Sequence, residues 1–363
     1  MDPLGLTPTL WLLFISFGFM VGVFFGFFGM GGSFLVTPAL LILGYPAPVA
    51  IGSSMAFVFG TAVIATLKHH DVGQVDYKLG ALMFVGIAVG IEAGSMLVFS
   101  LEALGIAEVV VGTVYVLLLA AIGLLFTKSA LGDDEENDET VNAQTADDSH
   151  NEPGEGDRGY DESGGDEDIP EIAKQIKSYN IPPMMTLADG SKASLWTISG
   201  VGGGVGVVSG FLGVGGGFIR MPAIYYLIGI PLAAAVGTSL FGALMSGAVG
   251  AFTYGLSGVI DFGVVTALLV GSALGARIGS ASTAYVDEDD VTIYFGIMLL
   301  LASSAVAFGE LATWLDMPIL DTVSFVLLIG SALFVTSIIL FYGAKAVRTT
   351  ERTTPAVAPG GDS

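Results

Sequence analysis

The sequence predicts an all-α, polytopic membrane protein built from two homologous helical repeats and one extra C-terminal span. Hydrophobic residues make up 53% of the 363 positions and charged residues only 13%. With a mean hydropathy of +0.78, that much apolar surface requires a lipid environment. The 52 glycines fit close helix packing in a membrane. A glycine-rich motif also occurs twice, at 26–32 and at 210–216.

The two copies of the motif belong to a longer repeat. Pro38 corresponds to Pro222 at an offset of 184 positions, and after one inserted residue Pro46 corresponds to Pro231 at an offset of 185. Two halves with the same pattern of residues, each with a glycine break inside an apolar stretch, are typical of secondary transporters.

Nine apolar segments are long enough to cross a bilayer. They are 8–30, 47–67, 79–99, 107–126, 195–214, 232–254, 262–285, 291–308 and 323–342. Two shorter segments, 34–43 and 218–228, follow the glycine motifs. Each would rise only about 15 Å as a helix, so we expect half-helices that are either broken crossings or re-entrant.

The topology depends on how these half-helices are counted. If each is a crossing, each half has five, so the second repeat is inverted and the Lys-rich loops lie inside. If they are re-entrant, each half has four spans and the repeats are parallel. The placement of Lys and Arg favours inversion.

Domain boundaries follow from the composition. We expect a first transmembrane repeat at 1–130, an acidic disordered linker at 131–192, a second repeat at 193–310, an additional span at 311–345 and a disordered tail at 346–363. The linker carries 17 of the 34 acidic residues between Asp133 and Glu171. Such a self-repelling, polar segment is a solvated spacer of the kind found in high-salt organisms.

The glycine motifs resemble those of the sulfite exporter TauE/SafE family of membrane transporters. The residues that carry the resemblance are Gly26, Gly29, Gly31, Gly32 and Pro38 in the first half, and Gly210, Gly213, Gly215, Gly216, Gly217 and Pro222 in the second. The first copy departs from the pattern at Ser33. The resemblance implies transport of small anions, often sulfur-containing ones such as sulfite or sulfonates, without fixing the solute.

Candidate substrate-binding residues cluster at the glycine motifs and in the span that follows each. Backbone N–H groups of the motifs and the positive ends of the following helices are suited to an anion. Hydroxyls at matched positions in both halves either bond their own helix or coordinate solute. The candidates are Gly29, Gly31, Gly32, Ser33, Ser53, Ser54, Gly213, Gly215, Gly216, Gly217, Thr238 and Ser239.

Three charged residues inside apolar segments add to the prediction, because a charge at membrane depth is costly and usually functional. Arg220 follows the second motif and is a candidate cationic partner of an anionic solute, with a structural helix cap as the alternative. Glu92 and Arg277 occupy equivalent positions of the two halves. They are candidates for an ion pair that gates or couples transport, with snorkelling to an interface as the alternative.

Other classes fit less well. The chain has no Cys, no metal-ligand pattern and no nucleophile motif, so we expect no enzyme activity, no catalytic residue, no metal and no cofactor. A passive anion channel remains an alternative to an alternating-access transporter, and an intramembrane enzyme a weaker one. The predicted partners are a small anion and the lipid bilayer of the cell membrane, with no nucleic acid. A homo-oligomer is compatible with the sequence.

Overall fold

The computed structural model describes residues 6–28, 32–71, 77–144, 182–186, 192–228, 232–282 and 288–353. Its first half begins with helix α1, which runs through the apolar stretch before the first glycine motif. The elements of this half are α1 (Pro8–Phe28), a 3₁₀ turn (Gly32–Leu35), α2 (Val36–Ile42), α3 (Ala47–Asp71), α4 (Tyr77–Ala103) and α5 (Ala107–Gln144).

The second half begins after two short antiparallel strands, β1 (Met184–Thr186) and β2 (Lys192–Ser194). It contains α6 (Leu195–Leu212), α7 (Gly217–Ala223), a π-helical turn (Ile224–Ile228), α8 (Leu232–Leu256), α9 (Phe262–Ser282), α10 (Glu288–Leu315) and α11 (Pro318–Thr353). The region predicted as a linker therefore includes the end of α5 and strand β1. Its disorder at 145–181 stays a prediction, since those residues lie outside the described part.

Eight of the described helices are long and apolar enough to cross a membrane. Their apolar ranges are Pro8–Phe28, Tyr77–Ala103, Ala107–Lys128, Leu195–Leu212, Thr238–Leu256, Phe262–Ser282, Ile293–Leu315 and Pro318–Tyr342. The remaining predicted span, in α3, has a shorter described apolar part at Ala47–Val63. The chain is therefore a multi-pass helical membrane protein.

Glycines bring two pairs of helices into backbone contact. A Cβ built on Gly22 of α1 would lie 2.5 Å from the carbonyl oxygen of Ser272 in α9, and one on Gly94 of α4 would lie 2.5 Å from that of Val207 in α6. In each pair the residue numbers of the contacts increase along both helices. They run from Gly18–Leu268 to Gly26–Ala276 in the first pair and from Gly86–Ser199 to Gly94–Val207 in the second. Helix α1 thus runs parallel to α9, and α4 runs parallel to α6, as small residues at helix interfaces permit.

Two other pairs of helices run antiparallel. In the α3–α8 pair, Gly52 meets Tyr254 and Phe59 meets Gly247. In the α5–α10 pair, Gly112 meets Glu310, and Ser303 Oγ donates a 2.8 Å hydrogen bond to the carbonyl oxygen of Val116. The order of contacts along one helix is reversed along the other in both pairs.

We expect Gly22→Val to disrupt the α1–α9 contact, because the new Cβ would meet backbone atoms that cannot rotate away. Overpacking of this kind costs about 1–3 kcal/mol or more. Size-exclusion profiles and thermal unfolding of the purified variant should show less folded protein and a lower Tm. Gly204→Val in α6, where a Cβ would have no atom within 4 Å, is the control. Equal behaviour of the two variants would contradict this packing.

Candidate functional site

The second glycine motif breaks the helical path between α6 and α7. Gly213, Gly215 and Gly216 have positive φ values of 77°, 64° and 74°. Residues with a Cβ rarely adopt this left-handed backbone, so the sequence Gly-Val-Gly-Gly allows the chain to leave α6 and begin α7 within four residues. The break predicted from the sequence is therefore present at this position.

Three hydroxyl groups from other helices hold the C-terminal end of α6. Tyr254 Oη of α8 donates to the carbonyl oxygen of Gly210 at 2.6 Å, and Tyr115 Oη of α5 donates to that of Leu212 at 2.5 Å. Ser54 Oγ of α3 donates to the carbonyl oxygen of Gly213 at 2.8 Å. Carbonyls at a helix end have no intrahelical partner and require such donors when buried. The break is thus fixed by side chains of both halves.

Tyr115→Phe should lower the thermal stability of the protein, because it leaves the buried carbonyl of Leu212 without its donor. The expected loss is about 1–3 kcal/mol. Differential scanning fluorimetry in detergent measures it. Tyr342→Phe, which removes the hydroxyl of a more exposed tyrosine in α11, is the matched control. If both variants unfold at the wild-type temperature, Tyr115 does not support the break.

Arg220 of α7 is fully buried directly beyond the break. Its Nη1 donates to the carbonyl oxygen of Ser239 at 3.1 Å, and its Nη2 donates to that of Gly215 at 3.3 Å and to Ser246 Oγ. Its Nε has no partner among the described residues. Its acceptors are all neutral, so within the described part of the chain the positive charge has no counter-charge. Such an arrangement costs free energy in a protein interior.

Two glycines make room for this guanidinium group. A Cβ on Gly242 of α8 would lie 2.7 Å from Arg220 Cδ, 2.8 Å from Nε and 2.9 Å from Nη1. A Cβ on Gly216 would lie 3.1 Å from Arg220 Nη2 and 2.5 Å from Ser209 Oγ. The guanidinium group therefore fills space that side chains at positions 216 and 242 would occupy.

The matched hydroxyl residues of the two halves have different surroundings. Ser239 Oγ donates to the carbonyl oxygen of Gly217 at 2.9 Å, beside Arg220, and Thr238 is fully buried next to it. Ser54 holds the break, whereas Ser53 Oγ accepts a 2.9 Å hydrogen bond from the backbone N–H of Asp261. Thus Ser54 and Ser239 lie at the second glycine motif, and Ser53 lies away from it.

Ser53 and Asp261 lie beside an open cavity at the start of α9. It has a volume of about 360 Å³ and is lined by Val49 and residues 258–263. Asp261 Oδ1 accepts hydrogen bonds from the backbone of Gly263 at 2.9 Å and of Val264 at 3.1 Å, which caps α9. Burial and the charge of Asp261 raise the pKa of Tyr45, which lies in the loop between α2 and α3. This region is a helix cap near a surface opening.

The described part of the structure does not place several predicted residues at this site. Gly29 and Gly31 lie outside the described residues, and for Gly32 and Ser33 only the backbone is described, in the 3₁₀ turn. Glu92 and Arg277 are exposed on α4 and α9, and no ion pair joins them. Thr253 Oγ1 of α8 donates to Glu92 Oε2 at 3.4 Å. The predicted Glu92–Arg277 pair is absent because α4 packs against α6 and α8, whereas α9 packs against α1 and α3.

Three residues around Arg220 were not identified from the sequence. Ser209 lies in the last turn of α6, beside Gly216. Ser246 accepts a hydrogen bond from the guanidinium group of Arg220, and Gly242 lies against this group. A lone Ser or Gly within an apolar helix is too common to single out, and only the packing of α6, α7 and α8 brings these three together.

A helix broken by glycines beside a buried arginine, in a chain whose described part has eight candidate membrane spans, is typical of the class of polytopic membrane transporters. The family model named Sulfite exporter TauE/SafE matches residues 14–306 of the chain. The protein belongs to this family, which is one of membrane transporters and not of enzymes.

Curated relatives are likewise described as transporters. A "Probable membrane transporter protein" of Xylella fastidiosa is 24% identical over 228 residues, which cover 62% of this chain and 67% of the relative. The "Probable membrane transporter protein MJ0441" of Methanocaldococcus jannaschii is 36% identical over 81 residues, 21% of this chain and 30% of the relative. YdhB of Bacillus subtilis, a "Probable membrane transporter protein", is 30% identical over 87 residues, 24% of this chain and 36% of the relative. No solved structure matches the chain.

Proposed function

We propose that this protein is a secondary transporter of a small anion, such as sulfite or a sulfonate, and that the anion binds at Arg220 beside the second glycine break. The observation that carries the proposal is the fully buried guanidinium group, which has only neutral acceptors and no partner for its Nε among the residues that the structure describes. A buried charge is retained where a ligand of opposite charge completes its environment.

The side chain of Arg220, and not the dipole of the following helix, supplies the positive charge for the anion in this proposal. Helix α7 has only seven residues, Gly217–Ala223, and a π-helical turn follows it. So short a helix contributes a weak terminal charge compared with the full charge of Arg220. The guanidinium group also presents planar, bidentate donors that match the oxygens of an oxyanion.

The two halves form an inverted repeat in this proposal. Support comes from α3 and α8, which are related by the sequence offset of 185 and run antiparallel where they touch, as do α5 and α10. Helices related by an axis along the membrane normal would run parallel instead. In the repeat, α1 corresponds to α6 and α9 corresponds to α4. A two-fold axis in the membrane plane therefore also relates the α1–α9 pair to the α6–α4 pair, and the helices run parallel within each pair.

The position of this axis agrees with the proposed site. Phe59 of α3 faces Gly247 of α8, so the crossing of these two equivalent helices lies next to Ser246, which accepts a hydrogen bond from Arg220. Transporters with inverted repeats bind substrate near the bilayer midplane at the repeat interface, where rocking of the halves exposes it to each side alternately.

The test is a flux assay with the purified protein in proteoliposomes. Uptake of sulfite, ethanesulfonate, thiosulfate and acetate is measured with and without proton or sodium gradients. We expect uptake of one sulfur oxyanion and its acceleration by unlabelled anion on the other side, because alternating access exchanges bound solute. Uptake without such acceleration would indicate a passive anion channel. No flux of any of these anions would contradict the proposed substrate class.

A further inference from the structure

Two buried hydrogen-bond donors, one in α6 and one in α7, have no partner in the described part of the chain. They are Ser209 Oγ and Arg220 Nε, and both residues are fully buried. A buried polar group without a partner is rare and costs free energy. Ser209 and Arg220 come from different elements, α6 and α7, on either side of the break.

Ser209 differs from most hydroxyl residues of these helices. Serines and threonines in apolar helices usually donate to a carbonyl of their own preceding turn, as Thr336 Oγ1 does to Ala332 at 2.7 Å and Ser282 Oγ does to Ile278 at 3.0 Å. Ser209 Oγ makes no such bond. It lies 2.5 Å from the point where a Cβ of Gly216 would sit, and Arg220 Nη2 lies 3.1 Å from the same point.

The first half lacks the corresponding polar groups. At the offset of 184, Arg220 corresponds to Val36 and Ser209 corresponds to Phe25. Val36 is fully buried and Phe25 is 4% exposed. A desolvated anion would find neither charge nor donor at these positions, so the two halves differ in their ability to hold one.

We propose that Ser209 is a specificity-determining residue of a single, asymmetric oxyanion site, where its hydroxyl donates to one oxygen while Arg220 binds the others. The proposal rests on the function proposed above. An oxyanion offers several acceptor oxygens and satisfies both orphan donors at once. Chloride is a single spherical acceptor, so its binding affinity depends mainly on the charge of the guanidinium group.

The test compares Ser209→Ala with wild type in equilibrium binding of sulfite and of chloride to the purified full chain. Loss of a hydrogen bond to a charged ligand predicts about 10- to 100-fold weaker sulfite binding. Chloride binding should change much less, so the ratio of the two affinities falls. The unliganded Tm should not fall, because the removed hydroxyl has no partner among the described residues. Wild type should bind one sulfite per chain.

Ser331→Ala is the matched control, because Ser331 is also buried and its Oγ donates to the carbonyl oxygen of Leu328 at 3.0 Å in α11. Sulfite affinity of Ser209→Ala equal to wild type, with binding lost in Arg220→Gln, would overturn the role of Ser209 and leave the proposed function standing. Two sulfites per chain would overturn the asymmetry. Unchanged binding in both variants, or none by wild type, would contradict the proposed function itself.

Discussion

We expect Arg220→Gln to weaken anion binding strongly while the protein remains folded and inserted. Gln keeps hydrogen-bonding capacity toward the neutral acceptors at Gly215, Ser239 and Ser246 but removes the charge. Loss of a buried charge that faces an opposite charge costs about 2–5 kcal/mol of binding free energy, or roughly 30-fold or more in affinity. Isothermal titration calorimetry and proteoliposome uptake with sulfite measure the effect.

The thermal stability of the same variant separates a functional role from a structural one. Replacement of an uncompensated buried charge by a neutral group is commonly neutral or stabilising. We therefore expect the unliganded Tm of Arg220→Gln to equal or exceed that of wild type. A marked fall in Tm would indicate that Arg220 mainly holds the helix break. Lys345→Gln, which neutralises an exposed cation beyond the last span, should leave both binding and Tm unchanged.

Gly242→Ala should weaken anion binding nearly as much as Arg220→Gln does. Its new Cβ would lie 2.7–2.9 Å from Arg220 Cδ, Nε and Nη1, so the flexible arginine side chain must move while the backbone keeps its place. Catalytic and binding groups displaced by about 1 Å lose on the order of 100-fold in efficiency. The variant should therefore elute as a folded protein with sharply reduced sulfite affinity.

Gly200→Ala in α6 is the control for that substitution, because a Cβ there would have no atom within 4 Å. Because the substitution removes a helical glycine, the folded state of Gly200→Ala should be slightly more stable than that of wild type, by up to about 1 kcal/mol. Its anion binding should not change. Wild-type affinity in Gly242→Ala would show that the position of the guanidinium group does not matter for the anion.

The helix starts, the glycine break and the isolated charge of Arg220 were predictable because each depends on the residues of a short segment of sequence. The offset of 185 places Ala47 on Leu232 and Tyr77 on Phe262, and the structure begins helices at all four. The break at Gly213–Gly216 was predictable because only glycine readily adopts its backbone angles. Arg220 was identifiable as a lone charge within an apolar segment.

Contacts between helices were not predictable in the same way. Ser209, Ser246 and Gly242 acquire a role only when α6, α7 and α8 pack together. The Glu92 and Arg277 side chains are not joined in the structure for a related reason. In an inverted repeat, equivalent residues meet only on helices that cross the axis, as α3 and α8 do in the proposed arrangement. Helices α4 and α9 pack elsewhere, so their equivalent residues stay apart.

The most direct test of the anion site is a crystal structure of the full chain soaked with selenite, an oxyanion close in shape to sulfite. Anomalous scattering from selenium locates the ion without assumptions about its environment. We expect one selenium peak per chain within hydrogen-bond range of Arg220, between α6, α7 and α8. A saturating soak that places selenium only away from Arg220 would contradict it.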